Sequence, residues 1–338
     1  MSSYIMFDTP LTIAFHIFSF IAILTTAYLI VVIWRASPLS LGKFKVAMMK
    51  LGVTDLLFCF FLEWLFIPDL IVPLPGAEVR GLMKYFGMTG AKIVFVLTLT
   101  FGGTTILSVN DCCIYRMFVF KNMGGILRNY LTTMFIIFFS STLVIGGFFT
   151  FLTFSYALSY DDLKAYAQKH NLTEPAFPNT TSFIAFDLGH PMVILSGAGE
   201  VLWLLVCEGC NVSFSYIVHR HIRAAQASLS TETLKMQQSL TLVLLLQAVI
   251  PFIAIFFPVI TLIIGLNLNI SSIQSKPMLI FFSMCVAVYP FVNSLVCIYF
   301  MAPYRKFTKD LFLKVFFCYK PPRTSSHVSE INPSSAYS

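Results

Sequence analysis

The chain has 338 residues, of which 57% are hydrophobic and only 11% charged, and 36 Phe dominate an aromatic share of 16%. Charge at about half the level of a typical soluble domain calls for an apolar solvent and excludes a water-soluble globular protein. The formal net charge of +7 does not read as a nucleic-acid surface, because the basic residues stand in short segments between apolar runs; no nucleic-acid partner is expected.

The opening MSSYIMFDTP has no basic segment, and the apolar run behind it is longer than a signal-peptide core, so it reads as a first membrane span. A span needs roughly 20 apolar residues to cross about 30 Å of hydrocarbon. Seven segments qualify: Leu11 to Trp34, Val46 to Val72, Ile93 to Phe120, Tyr130 to Phe154, Met192 to Ile217, Ser239 to Gly265 and Pro277 to Met301. The expected fold is an all-α membrane protein, a seven-transmembrane helix bundle. Its layout is residues 1–10 as an extracellular N-terminus, 11–301 as the bundle, 302–317 as an amphipathic cytosolic helix and 318–338 as a disordered cytosolic tail.

Orientation follows from the Lys and Arg count in the loops. Fifteen lie on the side that holds Arg35, Arg116, Arg220 and the tail, against six on the side of Arg80, Lys164 and Lys276, which puts the tail inside and the N-terminus outside. The sequons at Asn171, Asn179 and Asn269 fall in loops assigned to the outside, where glycosylation occurs. A fourth match at Asn211 lies inside the fifth span, out of reach of the transferase. None of the eight Cys falls in an outer stretch, so no extracellular disulfide is expected.

Beyond the last span, Tyr304, Phe307, Leu311, Phe312, Val315 and Phe316 share one helical face flanked by basic residues, the pattern of a helix lying on membrane lipid. Cys318 just after it fits two readings, a palmitoylated anchor or a plain cysteine. The stretch Pro321 to Ser338 is Ser- and Pro-rich, a composition that does not fold.

Within the spans stand Lys50, Asp55, Glu63, Asp111, Glu200 and Glu208, where a bare charge costs roughly 3 kcal/mol or more, so they should face the bundle interior. Asp55 lies near the midplane of the second span and suits either a buried structural hydrogen-bonder or a switch. In the fifth span Ser196, Glu200, Cys207, Glu208, Asn211 and Ser215 form one polar stripe, either helix-to-helix hydrogen bonding or, at its outer member Glu200, the lining of an outward-open pocket. At that depth Glu63, Thr98, Thr100, Glu200 and Trp203 are the candidate ligand contacts, in a mostly apolar pocket suited to a small, neutral or weakly basic molecule. Pro251 and Pro258 each remove a backbone donor from the sixth span and should bend it.

Other patterns are bland. Cys207-x-x-Cys210 lies in a membrane span without a second pair, and His219-x-His221 belongs to a basic loop; no metal site is expected. No phosphate loop, HExxH or GxSxG occurs, so neither an enzyme nor a cofactor is expected.

The run Leu229-Ser-Thr-Glu-Thr-Leu-Lys-Met-Gln-Gln-Ser-Leu, then Gln247-Ala-Val-Ile-Pro251 and Pro258, resembles the third inner loop and sixth helix of nematode serpentine chemoreceptors of the Str superfamily, class h being nearest. Ala302-Pro303-Tyr304-Arg305, the chain length and the seven-span layout are similar too. The resemblance implies a G-protein-coupled receptor on the plasma membrane, in the sensory cilia of chemosensory neurons, that detects a small environmental molecule and activates a heterotrimeric G protein. Asp55, Asp111, Gln247, Pro251 and Pro258 are the candidate switch, and Arg220 and Arg223, in a basic loop joining helices able to move, are candidate G-protein contacts, with attraction to anionic lipid as their competing role. This chain departs from the wider pattern where Asn110-Asp111 is followed by Cys112-Cys113 and the nearest Arg is Arg116, and where the first span has no Asn to partner Asp55.

A transporter or channel would also explain intramembrane carboxylates and Pro-bent helices, but no matched halves are visible. A retinal protein lacks its Lys in Pro277 to Met301, and a peptide receptor has little docking surface in so short an N-terminus.

Overall fold

The computed structural model describes residues 2–38, 41–71, 76–120, 124–169, 181–224, 231–267, 270, 272, 273 and 275–317. Long helices dominate: α1 (Ser2–Ala36), α2 (Phe44–Phe60), α3 (Gly87–Phe120), α4 (Gly124–Tyr156), α6 (Pro191–Ala224), α7 (Thr231–Pro251), α8 (Phe257–Asn267) and α9 (Lys276–Phe300). A short helix α5 (Tyr160–Lys169) follows α4, and α10 (Ala302–Phe317) follows α9. Among the described residues six helices are long and apolar enough to cross a membrane, from His16–Ala36 through Pro277–Phe300. The stretch that carries Lys50, Asp55 and Glu63 is not among them.

That second segment departs from its expected bounds. α2 passes into a π-helix over Phe61–Phe66 and stops there, and Pro68–Ile71 is a strand, β1, rather than the end of a span reaching Val72. The cause is local. Pro68 disfavours the α conformation at the residue before it, and Ile67 takes φ 44°, rare for a β-branched residue. Hydrogen bonds hold Ile67 there: its N–H donates to Leu62 O at 2.8 Å, and its carbonyl accepts from Arg80 N at 3.2 Å.

The expected all-α architecture is corrected by a small sheet. β1 pairs antiparallel with β2 (Gly76–Val79), which pairs antiparallel with β3 (Phe183–Ala185). The Arg80–Asp69 ion pair stands beside the first pairing. Only glycine fits at position 76, because a Cβ there would lie 2.5 Å from Ile184 O. Thus the loop between α4 and α6 is tied to the loop between α2 and α3 by backbone ladders, and the described cysteines are all free. α5 seals the far side of β3: Leu163 and Ala167 pack with Phe183 and Ala185. Its start is fixed by a capping box, in which Asp162 N–H donates to Ser159 Oγ at 3.2 Å and Ser159 N–H donates to Asp162 Oδ2 at 3.3 Å, with the Ser159 hydroxyl donating to the same oxygen at 2.6 Å.

Two large apolar clusters fill the bundle. One gathers Ile33, Met48, Leu51, Val109, Tyr115, Leu244 and Tyr304, toward the α10 end. The other, toward the sheet, joins Phe58, Leu62, Phe66 and Tyr289 from the helices with Ala77, Val79 and Ile184, so the sheet plugs into the bundle. The sixth expected span is interrupted at its prolines: α7 ends at Pro251, a π-helical turn covers Phe252–Phe256, and α8 continues through Pro258. α10 lies against the bundle through Tyr28 Oη, which donates to Thr308 Oγ1 at 3.0 Å, and the Ser37–Tyr304 hydroxyl pair at 2.9 Å.

Candidate functional site

At mid-depth, Asp55 on α2 is fully buried and receives two bonds from α9: one from Asn293 Nδ2, and one from Tyr289 Oη at 3.3 Å. The two donors are four residues apart and therefore share a face of α9, with Pro290 between them. A carboxylate enclosed among apolar helices needs such donors, since isolated it costs several kcal/mol. The partner absent from α1 is thus supplied by α9. The missed signal is legible afterwards, because Asn293 is the one Asn in Pro277 to Met301. Neighbouring bonds extend the network: Ser294 Oγ–H donates to Thr26 Oγ1 at 3.1 Å, and Gln247 Nε2 donates to Cys297 Sγ at 3.1 Å. α9 is therefore bonded to α1, α2 and α7.

Nearer the charged end of the bundle, Asp111 on α3 pairs with Lys50 on α2, and its backbone carbonyl accepts from Tyr130 Oη at 2.8 Å. Lys50 Nζ also lies 5.0 Å from the centre of the Phe138 ring. Arg116, five residues on, turns to α7 instead: Nη2 donates to the side-chain Oε1 of Gln237 and, at 3.2 Å, to its backbone carbonyl. The acid and the base of α3 therefore serve different neighbours, and Arg116–Gln237 is a polar contact between α3 and α7. A charge-assisted bond of this kind is among the stronger ones a protein makes.

The polar stripe of α6 is buried at Ser196, Cys207, Asn211 and Ser215, while Glu200 and Glu208 are partly exposed. Ser215 lies 3.9 Å from Cys113 of α3, and Asn211 Nδ2 donates to Glu208 Oε2 at 3.5 Å. Further out, Trp203 fits into the α3–α4 seam, its ring 3.5 Å from where a Cβ on Gly103 would stand and beside Ile145. Thr100 reaches the same seam against Gly146. The hydroxyls of Thr98 and Thr100 donate to their own helix, to Val94 O at 2.8 Å and Val96 O at 2.7 Å. Glu63 is sealed on the other side of the bundle, facing Cys59 and Ser19. Glu200, three residues before Trp203 and on the same face, has no polar partner among the described residues. The expected ligand contacts are thus not brought together: Trp203 and Thr100 stand in the α3–α4 seam, with Glu200 on the Trp203 face of α6, and Glu63 in the α1–α2 seam.

The family model described as serpentine type 7TM GPCR chemoreceptor Srh matches residues 8–314, nearly the whole chain. The chain belongs to the Srh chemoreceptor family. A search of curated proteins gives no match. As an Srh chemoreceptor it is a multi-pass membrane protein, and the resemblance carried by the run from Leu229 to Pro258 is to its own family.

In this Srh chemoreceptor, Gln237 belongs to the run that carries that resemblance, yet its bond to Arg116 joins residues 121 positions apart and has no local signature. Arg220 and Arg223 are exposed at the end of α6, while Val218 and Ile222 turn inward. Among the described residues no three His, Cys, Asp or Glu side chains gather as a metal site. Asn171, Asn179, Asn269 and Cys318 lie outside the described residues.

Proposed function

We propose that this Srh chemoreceptor crosses the membrane seven times, N-terminus outside and tail inside, and couples a small environmental ligand at its outer half to a heterotrimeric G protein at its inner end. The observation that carries this reading is the double role of Tyr289. Its ring packs with Phe58 and lies in one cluster with Ile184 of the sheet, while its hydroxyl bonds Asp55. A ligand that shifts the outer cluster therefore acts on the buried network joining α2 and α9. The interruption between Pro251 and Pro258 gives α7 a pivot, and Gln237 and Gln247 tie that helix to α3 and α9. Asp55, Asp111, Gln247, Pro251 and Pro258 form the switch in this reading.

The ligand contacts in this reading are Glu200 and Trp203 with Thr100 in the same seam, while Glu63, buried against Cys59 and Ser19, and Thr98, bonded to its own helix, stand apart from them. Arg220 and Arg223 at the exposed end of α6 meet the G protein. The layout is 1–10 outside, 11–301 in the bundle, 302–317 on the inner lipid surface and 318–338 as a cytosolic tail, with glycan on Asn171, Asn179 or Asn269 and a lipid on Cys318. Its place is the plasma membrane of sensory cilia. The competing transporter or channel reading is not favoured by a match to a receptor family.

The test is expression in cells with a calcium or cyclic-nucleotide reporter, screened against panels of volatile and water-soluble compounds. At least one compound should give a response that Arg220→Ala with Arg223→Ala reduces at unchanged surface level. A response that persists without any G protein would overturn the coupling.

A further inference from the structure

A cleft of about 690 Å³ opens at the end of the bundle assigned to the cytosol, between the start of α7, the junction of α9 with α10, and Pro38 just after α1. Lys235 of α7 and Lys306 of α10 both line it. Both are exposed, and neither has an acidic partner among the described residues. The remaining wall is largely apolar, with Met236 and Leu240 on one side and Met301 and Pro303 on the other. Gln237 lines it as well, so an occupant sits beside the contact with Arg116.

Two cations that face one cavity repel each other where no described acidic side chain lies between them, and an anionic occupant relieves that repulsion. A lone phosphate would meet the lysines but leave the apolar wall wet. A phosphorylated lipid satisfies both at once, because its headgroup carries the charge and its glycerol and first acyl carbons cover the apolar side chains. α10 continues the surface outward with exposed Leu311, Phe312 and Val315, as a helix lying at lipid level would.

We propose that this cleft binds the phosphorylated headgroup of an anionic lipid of the inner leaflet, with phosphate held by Lys235 and Lys306 and the lipid stem against Met236, Leu240 and Met301. The inner-leaflet source rests on the orientation proposed above. Nanodiscs offer lipid to both ends of the bundle, so their result reads the cleft and not the orientation.

The receptor in phosphatidylcholine nanodiscs is titrated with a phosphatidylinositol bisphosphate, and bound lipid is counted by native mass spectrometry. Each lysine should account for about five-fold in lipid affinity, and Lys235→Ala with Lys306→Ala together for about 30-fold. Lys309→Ala with Lys314→Ala makes the same charge change on α10 outside the cleft and should stay close to wild type. Equal losses in the two pairs would overturn the site in favour of a diffuse basic surface, and undiminished binding in the first pair would overturn it outright. Displacement of the lipid by free inositol trisphosphate at equal concentration would overturn the lipid as occupant.

Discussion

Replacing Gln237 by Leu removes the amide that receives Arg116 while keeping a side chain of similar volume between α3 and α7. Arg116 Nη2 makes two bonds to this residue, one to Oε1 and one of 3.2 Å to the backbone carbonyl, and only the first is lost. The surviving carbonyl also accepts from Thr241 Oγ1 at 2.9 Å, so it is shared and holds the guanidinium less firmly. A hydrogen bond to a charged group contributes about 1.5–3 kcal/mol. With half of the contact retained the lower end applies, and about 1.5 kcal/mol moves an equilibrium about tenfold. The agonist-free reporter signal per surface receptor should therefore rise, reflecting a roughly tenfold gain in the open-to-closed ratio of the α3–α7 contact. Gln237→Glu offers Arg116 a carboxylate and should lower that signal. Wild-type output from Gln237→Leu at equal surface level would refute the reasoning, and a rise in both variants would show only a damaged helix end.

Lys50→Ala leaves Asp111 without its ion-pair partner at a site where the two side chains are 6% and 16% exposed. It should cost about 3 kcal/mol or more in thermal unfolding of the purified receptor, and Lys50→Met with Asp111→Asn should recover most of the loss. A double variant as unstable as the single one would remove the pair as the cause. Glu200→Gln keeps shape and removes charge, so a ligand that activates wild type should show a right-shifted dose response with preserved surface level and maximal signal; an unchanged curve would take Glu200 out of the site. Hydrogen bonds from Ser159 hold the Asp162 carboxyl below the usual carboxylate range. A depressed folded value means that the contribution to the start of α5 is full above an unfolded value of about 4 and fades as pH falls through the lower folded one. Amide protection at the start of α5 should therefore weaken as pH falls below about 4, and Ser159→Ala should lower that protection at neutral pH and remove most of its dependence on Asp162 protonation.

The long apolar runs made the bundle readable, because a span is a local property: α9 at Lys276–Phe300 lies within one residue of the expected Pro277 to Met301. α3 ends at Phe120 as expected, although Asn110 and Asp111 interrupt its apolar run, since Asp111 finds Lys50 across the seam. The sheet was not readable, because its strands are three or four residues long and β2 meets β3 about a hundred residues later. Apolar content alone cannot separate the end of a span from Pro68–Ile71, where pairing with β2 decides. The polar partners were hidden for the same reason. Asp55 announces a buried acid in the sequence, but that Asn293 and Tyr289 answer it depends on how α2 and α9 are packed.

The most direct test places the receptor in proteoliposomes with a heterotrimeric G protein and a compound found in the reporter screen. The account predicts that the compound accelerates guanine-nucleotide exchange on the G protein without ion or solute flux, and that Gln237→Leu raises exchange even without the compound. Flux through the receptor with no change in exchange would contradict it.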